Sequence, residues 1–287
     1  MRVLGKCGGF DSDIIDAMRW AAGLSVAGVP SNPNPAQVIN LSLGGDGLCT
    51  AAYQAVATEI TARGVLIVAS AGNDGGPVSA PANCVGVLGV AGLRHIGTKV
   101  GFSNLGPELS IGAPGGNCVN TGPGQPCLFS IVAATNTGTT TPAAAAYTDR
   151  LNFNVGTSFS APQAAAAAAL MRTINSRLAP SQVITLLKQT ATAFPVNGSA
   201  SIPNCHVPVN ADDLQTSECN CTTQTCGAGM LDSGAAVSAA QRPFAILLRT
   251  GTVASGETLS LDASTSFASN GRSLYMEIGR ASCRERV

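Results

Sequence analysis

Residues 164–169 are six consecutive alanines, preceded by Gly156-Thr157-Ser158-Phe159-Ser160-Ala161-Pro162 and followed by Leu170 and Met171. Alanine is the best helix former, so the run predicts a long helix from 156 to about 177. Pro162 is expected in its first turn, where a missing N–H costs little. A helix with almost no side-chain bulk lets its neighbours approach closely, which suits a helix buried at the centre of a domain. The apolar run ends at Met171, far short of the roughly 20 residues that a membrane-spanning helix needs, and no membrane partner is expected.

The rest of the pattern alternates between strands and amphipathic helices, the mark of an α/β domain with a mostly parallel sheet. Residues 1–4 are expected to be a first strand, followed by a helix over 13–22 with Ile14, Ile15 and Met18 at helical spacing and Asp11 or Ser12 as its cap. Pro30, Pro33 and Pro35 then break the pattern. Strands are expected at 38–42, 65–69, 84–90 and 131–134, and helices at 50–63 and 180–193. The run Val65-Leu66-Ile67-Val68-Ala69 is apolar at every position, as in a strand covered on both faces. The length suggests one large domain over 1–242. Alternation in 257–262 reads as a β-strand within a second segment, 243–276. That segment weakly resembles the opening of a PKD-type sandwich. Residues 277–287 resemble the translation of a sequencing-adapter oligonucleotide and are set aside from the fold.

Charge is balanced, with 16 Lys plus Arg against 16 Asp plus Glu, so no nucleic-acid-binding surface is expected. Outside the adapter-like tail the cysteines are Cys7, Cys49, Cys84, Cys118, Cys127, Cys205, Cys219, Cys221 and Cys226. Their spacings lack a CxxC pair, which argues against a zinc site built from Cys205, His206, Cys219, Cys221 and Cys226. Disulfides are expected instead, and with them an extracellular setting. The Gly- and Pro-rich stretch between Cys118 and Cys127 is easily closed by a bridge, and Cys49 and Cys84 could join the loops after two neighbouring strands. The four cysteines 205–226 allow three pairings. The odd number leaves Cys7 or another cysteine to pair elsewhere or to stay free.

In parallel α/β sheets, ligands bind beyond the carboxyl ends of the strands. Three segments converge there: Leu43-Gly44-Gly45, Ala71-Gly72-Asn73, and Ser158 at the start of the Ala-rich helix. Taken singly, these read as a tight bend, a turn and a helix cap. An α/β-hydrolase elbow is excluded, because Gly-x-Ser-x-Gly would need glycine where Ser160 stands. Together, Asn40-Leu41-Ser42-Leu43-Gly44, Ala69-Ser70-Ala71-Gly72-Asn73-Asp74 and Gly156-Thr157-Ser158-Phe159-Ser160-Ala161-Pro162 resemble the subtilisin-like serine peptidases, in that family's order and over about residues 1–240.

The resemblance implies a three-layer subtilisin-like α/β fold and a secreted serine endopeptidase acting on protein or peptide substrates as a monomer. It implies Ser158 as nucleophile and Asn73 as side-chain oxyanion donor. Ser42, Leu43, Gly44, Ala71 and Gly72, with Gly156 and Thr157, are implied as substrate-binding residues, and the backbone of 42–44 would pair with extended substrate. No cofactor is implied. Structural calcium is common in the family, with Asp212 and Asp213 as candidates here, although no loop has a recognisable ligand spacing. The sequence departs from the family in one respect: the Asp and His motifs should precede residue 2. The only histidines are His95 and His206, both expected in exposed loops. The chain therefore reads as truncated and inactive by itself, with a pseudo-peptidase that binds or inhibits as the alternative.

Overall fold

The structure, a computed structural model, describes residues 1–5, 7–117, 129–148, 155–195, 202–246, 248–249, 261–262 and 264–273. The elements in order are α1 (Asp11–Ala21), β1 (Val38–Leu41), α2 (Ala51–Ala62), β2 (Leu66–Ser70), β3 (Val87–Leu93), β4 (Leu109–Pro114), β5 (Ala134–Asn136) and β6 (Ala145–Tyr147). They continue with α3 (Thr157–Ile174), α4 (Pro180–Gln189), α5 (Ser233–Ala240), β7 (Leu248–Arg249) and β8 (Leu261–Asp262). Strands β1 to β4 form one parallel sheet in sequence order, with Leu41 opposite Ala69 and Ser70 opposite Val90.

The sheet is covered on both faces, and β2 shows why Leu66 to Ala69 are all apolar. Leu66 and Val68 pack with Ala161, Ala164 and Ala168 of α3 on one face. Ile67 and Ala69 pack with Met18 of α1 and Ile60 of α2 on the other. Side chains alternate between faces with period two, so when both faces are dry a polar residue needs a partner, as Ser70 has in the Leu41 carbonyl at 3.4 Å. Helix α3 touches all four strands of the sheet. Ala164, Ala167 and Ala168 are buried in that contact, whereas Ala166 and Ala169 point outward.

Several expectations are corrected. Residues 1–4 form no strand; the described chain there makes only a bridge between Gly5 and Gly8. The sheet needs a partner strand, and these residues do not pair with its edge. Helix α1 starts two residues early with Phe10 at its N-cap and no side-chain cap, because Asp11 lies inside the helix and its carboxylate accepts from the Tyr53 hydroxyl at 3.0 Å. The expected strand at 131–134 is instead an exposed hairpin, β5 with β6, apart from the main sheet. Pro162 is the sixth residue of α3 and not in its first turn. Strand β4 and helix α5 had no counterpart among the elements expected from the sequence.

Three disulfides lie in the described residues: Cys49–Cys84, Cys205–Cys219 and Cys221–Cys226. Cys7 is exposed and free. Cys118 and Cys127 lie outside the described residues, as do most of the expected strand 257–262 and the tail 277–287. Near the C-terminus, Phe244 and Phe267 stack at 5.5 Å, and Arg177 lies over the Phe267 ring at 4.8 Å. Among the described residues no helix is long and apolar enough to cross a membrane.

Candidate active site

Parallel pairing places the carboxyl ends of β1 and β2 side by side, and α3 begins opposite both. The contact is made by hydrogen bonds between residues far apart in sequence. Proline at 162 has no N–H to give to the carbonyl four residues back, so the Ser158 carbonyl is released from the helix ladder. The Ser42 hydroxyl takes the vacant role and donates to it at 2.8 Å. In return the Ser158 hydroxyl donates to the Ser42 carbonyl at 3.3 Å. The Asn40 amide donates to the Ser42 hydroxyl at 2.9 Å and orients it.

Asn73 is joined to the same helix start. Its Oδ1 accepts from the Thr157 backbone N–H at 2.9 Å and lies 3.1 Å from the Thr157 hydroxyl. That hydroxyl also lies 3.1 Å from the Gly72 carbonyl, and it accepts from the Gly72 N–H at 3.2 Å. Thr157 is fully buried, and its polar atoms face Gly72 and Asn73. Oδ1 is thereby occupied, while Nδ2 of the exposed Asn73 makes no hydrogen bond among the described residues. Two glycines beside these contacts hold backbone conformations that side chains rarely adopt. Gly156 has φ +150°, and a Cβ there would stand 3.6 Å from Asn73 Oδ1. Gly72 has φ +112°, and a Cβ there would lie 2.3 Å from the Asn104 amide nitrogen and 2.5 Å from the Ser79 hydroxyl.

Ser42 thus meets Ser158, and Gly72 and Asn73 meet Thr157, while Leu43 packs against the cluster that contains Ala71. Beyond them, Gly45 and Ala80 exchange two backbone hydrogen bonds, at 2.9 and 3.0 Å. This brings Ser79 between Gly44 and Gly72. Asn40, Ser79 and Asn104 were not singled out in the sequence. Asn40 carried the only signal, as the polar residue in an otherwise apolar strand.

Both histidines lie elsewhere. His95 stacks on Phe129 with ring centres 4.3 Å apart. His206 pairs with Asp213 at 3.0 Å, in an exposed loop. The Val209 N–H, followed by His206, holds the Asp213 carboxyl below its usual range. Asp213 is thereby engaged by protein donors, and Asp212 and Asp213 join no cluster of three or more His, Cys, Asp or Glu among the described residues. The cluster that does occur, Cys205, Cys221 and Cys226, is committed to disulfides.

A parallel sheet between helical layers, with the strand-end loops facing a buried helix start, defines a subtilisin-like α/β protein. The chain belongs to the subtilase (peptidase S8) family, whose model matches residues 1–229. An extracellular protease of Xanthomonas campestris is 40% identical over 243 residues, which is 84% of this chain and 35% of that protein. Subtilisin Savinase of Lederbergia lenta is 33% identical over 196 residues, 68% of this chain and 60% of the relative. The solved structure of a protease from Pseudoalteromonas arctica is similar with a TM-score of 0.67 at 34% identity, covering 83% of this chain and 61% of that one. The chain spans about a third of the length of the extracellular relatives it matches.

Proposed function

We propose that these residues are the nucleophile side of a secreted serine endopeptidase. The supporting observation is the pair of hydrogen-bonded junctions, Thr157 with Asn73 and Ser158 with Ser42, at the carboxyl end of the parallel sheet. In this reading the Ser158 hydroxyl attacks the scissile carbonyl carbon. The C–O bond forms as the carbonyl pair moves onto oxygen, and the Ser158 proton passes to a general base. The oxyanion meets the Asn73 Nδ2 and the Ser158 N–H, a donor of the first helical turn with no acceptor inside the helix. Collapse breaks the C–N bond, and the amine leaves with the proton. Water then releases the acyl group by the same steps. Extended substrate pairs with the backbone of Ser42, Leu43 and Gly44, beside Ala71, Gly72 and Gly156, while Thr157 holds the Asn73 amide.

The chemistry uses no cofactor, and calcium, if bound, is structural. The disulfides and the extracellular relatives support secretion. Protein or peptide substrates are the partners, without nucleic acid or membrane, and the working form is a monomer. By itself this polypeptide does not hydrolyse peptides at an enzymatic rate, because its two histidines are engaged away from Ser158 and the hydroxyl has no base. The same observation favours, as a second reading, a non-catalytic module that binds or inhibits through the cleft.

A fluorophosphonate probe separates the readings. This chain is compared with one extended upstream in its reading frame, which in this reading holds the family's Asp-x-Gly and His-Gly-Thr motifs. The extended form is expected to label at Ser158 at least a thousandfold faster. Equal rates would refute the missing-base argument, and a reading frame without those motifs would favour the binding module.

A further inference from the structure

Asn104 lies in the turn after Lys99, outside all the motifs that carry the family resemblance, and is 2% exposed. Its side chain fills every hydrogen-bonding position an asparagine has, and each partner lies in the loop around Asn73. Oδ1 accepts from the Asp74 N–H at 2.8 Å and the Gly76 N–H at 3.2 Å. Nδ2 donates to the Pro77 carbonyl at 2.8 Å and the Ser79 hydroxyl at 3.1 Å. The Asn104 backbone N–H donates to the Gly72 carbonyl at 3.1 Å. Residues 72, 74, 76, 77 and 79 are therefore all tied to one side chain or its own amide, and Asn73 stands between the first two.

The asparagine is itself held from behind. The Ser103 hydroxyl donates to the Asn104 carbonyl at 2.9 Å and accepts from the Gly92 N–H of β3 at 2.9 Å. The Lys99 ammonium, fully buried, donates to the carbonyls of Gly101 and Gln215 at 2.8 and 2.6 Å, and to those of Val100 and Ser103 at 3.2 and 3.3 Å. Gln215 closes the ring, since its N–H donates to the Gly75 carbonyl at 2.8 Å. The loop that presents Asn73 is thus clamped between β3 and the disulfide-bonded segment, with Asn104 at the centre.

We propose that Asn104 is a positioning residue for the oxyanion donor: it fixes the backbone on both sides of Asn73 so that Nδ2 meets the developing charge without reorganising. This rests on the reading of Asn73 as that donor. Preorganised donors stabilise a transition state because they need not turn at the moment of reaction. A small misplacement of such a group therefore lowers kcat while leaving ground-state binding nearly unchanged.

The test is a double-mutant cycle in the protein expressed from its complete reading frame, with Asn73→Leu, Asn104→Leu and the pair. Asn73→Leu is expected to lower kcat by about 10² to 10³, a magnitude taken from subtilisin itself. Asn104→Leu is expected to lower kcat by at least tenfold with KM within twofold, and to add less than threefold in the Asn73→Leu background. An equal loss of kcat in both backgrounds, or no loss, overturns the proposal, because a merely structural role is indifferent to residue 73. An unchanged kcat in Asn73→Leu alone instead overturns the reading of Asn73. Asn104→Ser, a milder change, carries the same cycle should the leucine variant not fold. In the chain without the upstream extension, Asn104→Ser is expected to speed amide exchange at Asp74 and Gly76 by at least tenfold without affecting α3; unchanged protection at both amides overturns the proposal.

Discussion

Asn73 presents a carboxamide held at one end: Oδ1 accepts from the Thr157 N–H, and Nδ2 makes no hydrogen bond among the described residues. Fixing one end of an amide orients the other at no further entropic cost, so the buried threonine sets the direction of the donor. Gly72 has its own constraint, since any side chain there would overlap Asn104 and force a positive φ on a residue with a Cβ. Lys99 is unusual among buried charges in having only carbonyls around its ammonium. Burial lowers its pKa from 10.5 to about 8. The unfolded chain then holds more protons than the folded one between pH 8 and 10.5, so stability rises with pH across that window. Measured against Lys99→Met by urea unfolding, with Cys7 alkylated, the wild type is expected to gain up to about 3 kcal/mol from pH 7.5 to 10.5. The four carbonyl dipoles favour the ammonium and reduce that gain. A difference that stays flat or falls would show that they cancel the desolvation completely.

Helix α3 joins packing to the site. Its alanine face lets the sheet approach closely, and that approach brings Ser158 within reach of Ser42. Pro162 frees the carbonyl that Ser42 then binds, so the proline acts on the site one turn away from it. The two alanine environments predict opposite tolerance. Ala168→Leu inserts bulk where the alanine is 0% exposed and should cost at least about 1 to 3 kcal/mol. Ala166→Leu, on the outward face, should change stability by less than about 0.5 kcal/mol. Urea midpoints of the two variants check this, and equal losses would contradict the packing described.

At the scale of the whole molecule, disulfides support loops that secondary structure does not. Cys49–Cys84 spans a sequence separation of 35 and joins the segments that follow β1 and precede β3. A loop of that length limits the unfolded chain by about 4 kcal/mol in the chain-entropy model. Replacing both cysteines by serine is expected to lower unfolding free energy by about that amount without changing the fold, as read from denaturant midpoints and far-ultraviolet circular dichroism. Cys205–Cys219 and Cys221–Cys226 close short loops and hold Gln215 and Cys219 against Gly75 and Lys99. They thereby link the C-terminal part of the family domain to the Asn73 loop.

The sequence alone determined what depends on local pattern. An apolar run of strand length bounded by turn residues reads as a strand covered on both faces, and a run of six alanines reads as a helix whose neighbours approach closely. Three short motifs in one order carried the family and Ser158, Asn73 and Ser42 with it. Strand β4, whose glycine and proline interrupt the apolar pattern, and the misplaced strand at 131–134 were not legible, because pairing with neighbours, and not periodicity, fixes them. The tertiary structure alone decided the surroundings of the motifs. Asn104 reaches the Asn73 loop from a later turn, Lys99 holds that turn from behind, and Ser79 in the loop itself receives Asn104; in sequence each is an ordinary polar residue. Their roles come from hydrogen bonds that exist only after parallel pairing has brought the ends of β1, β2 and β3 to one edge of the sheet.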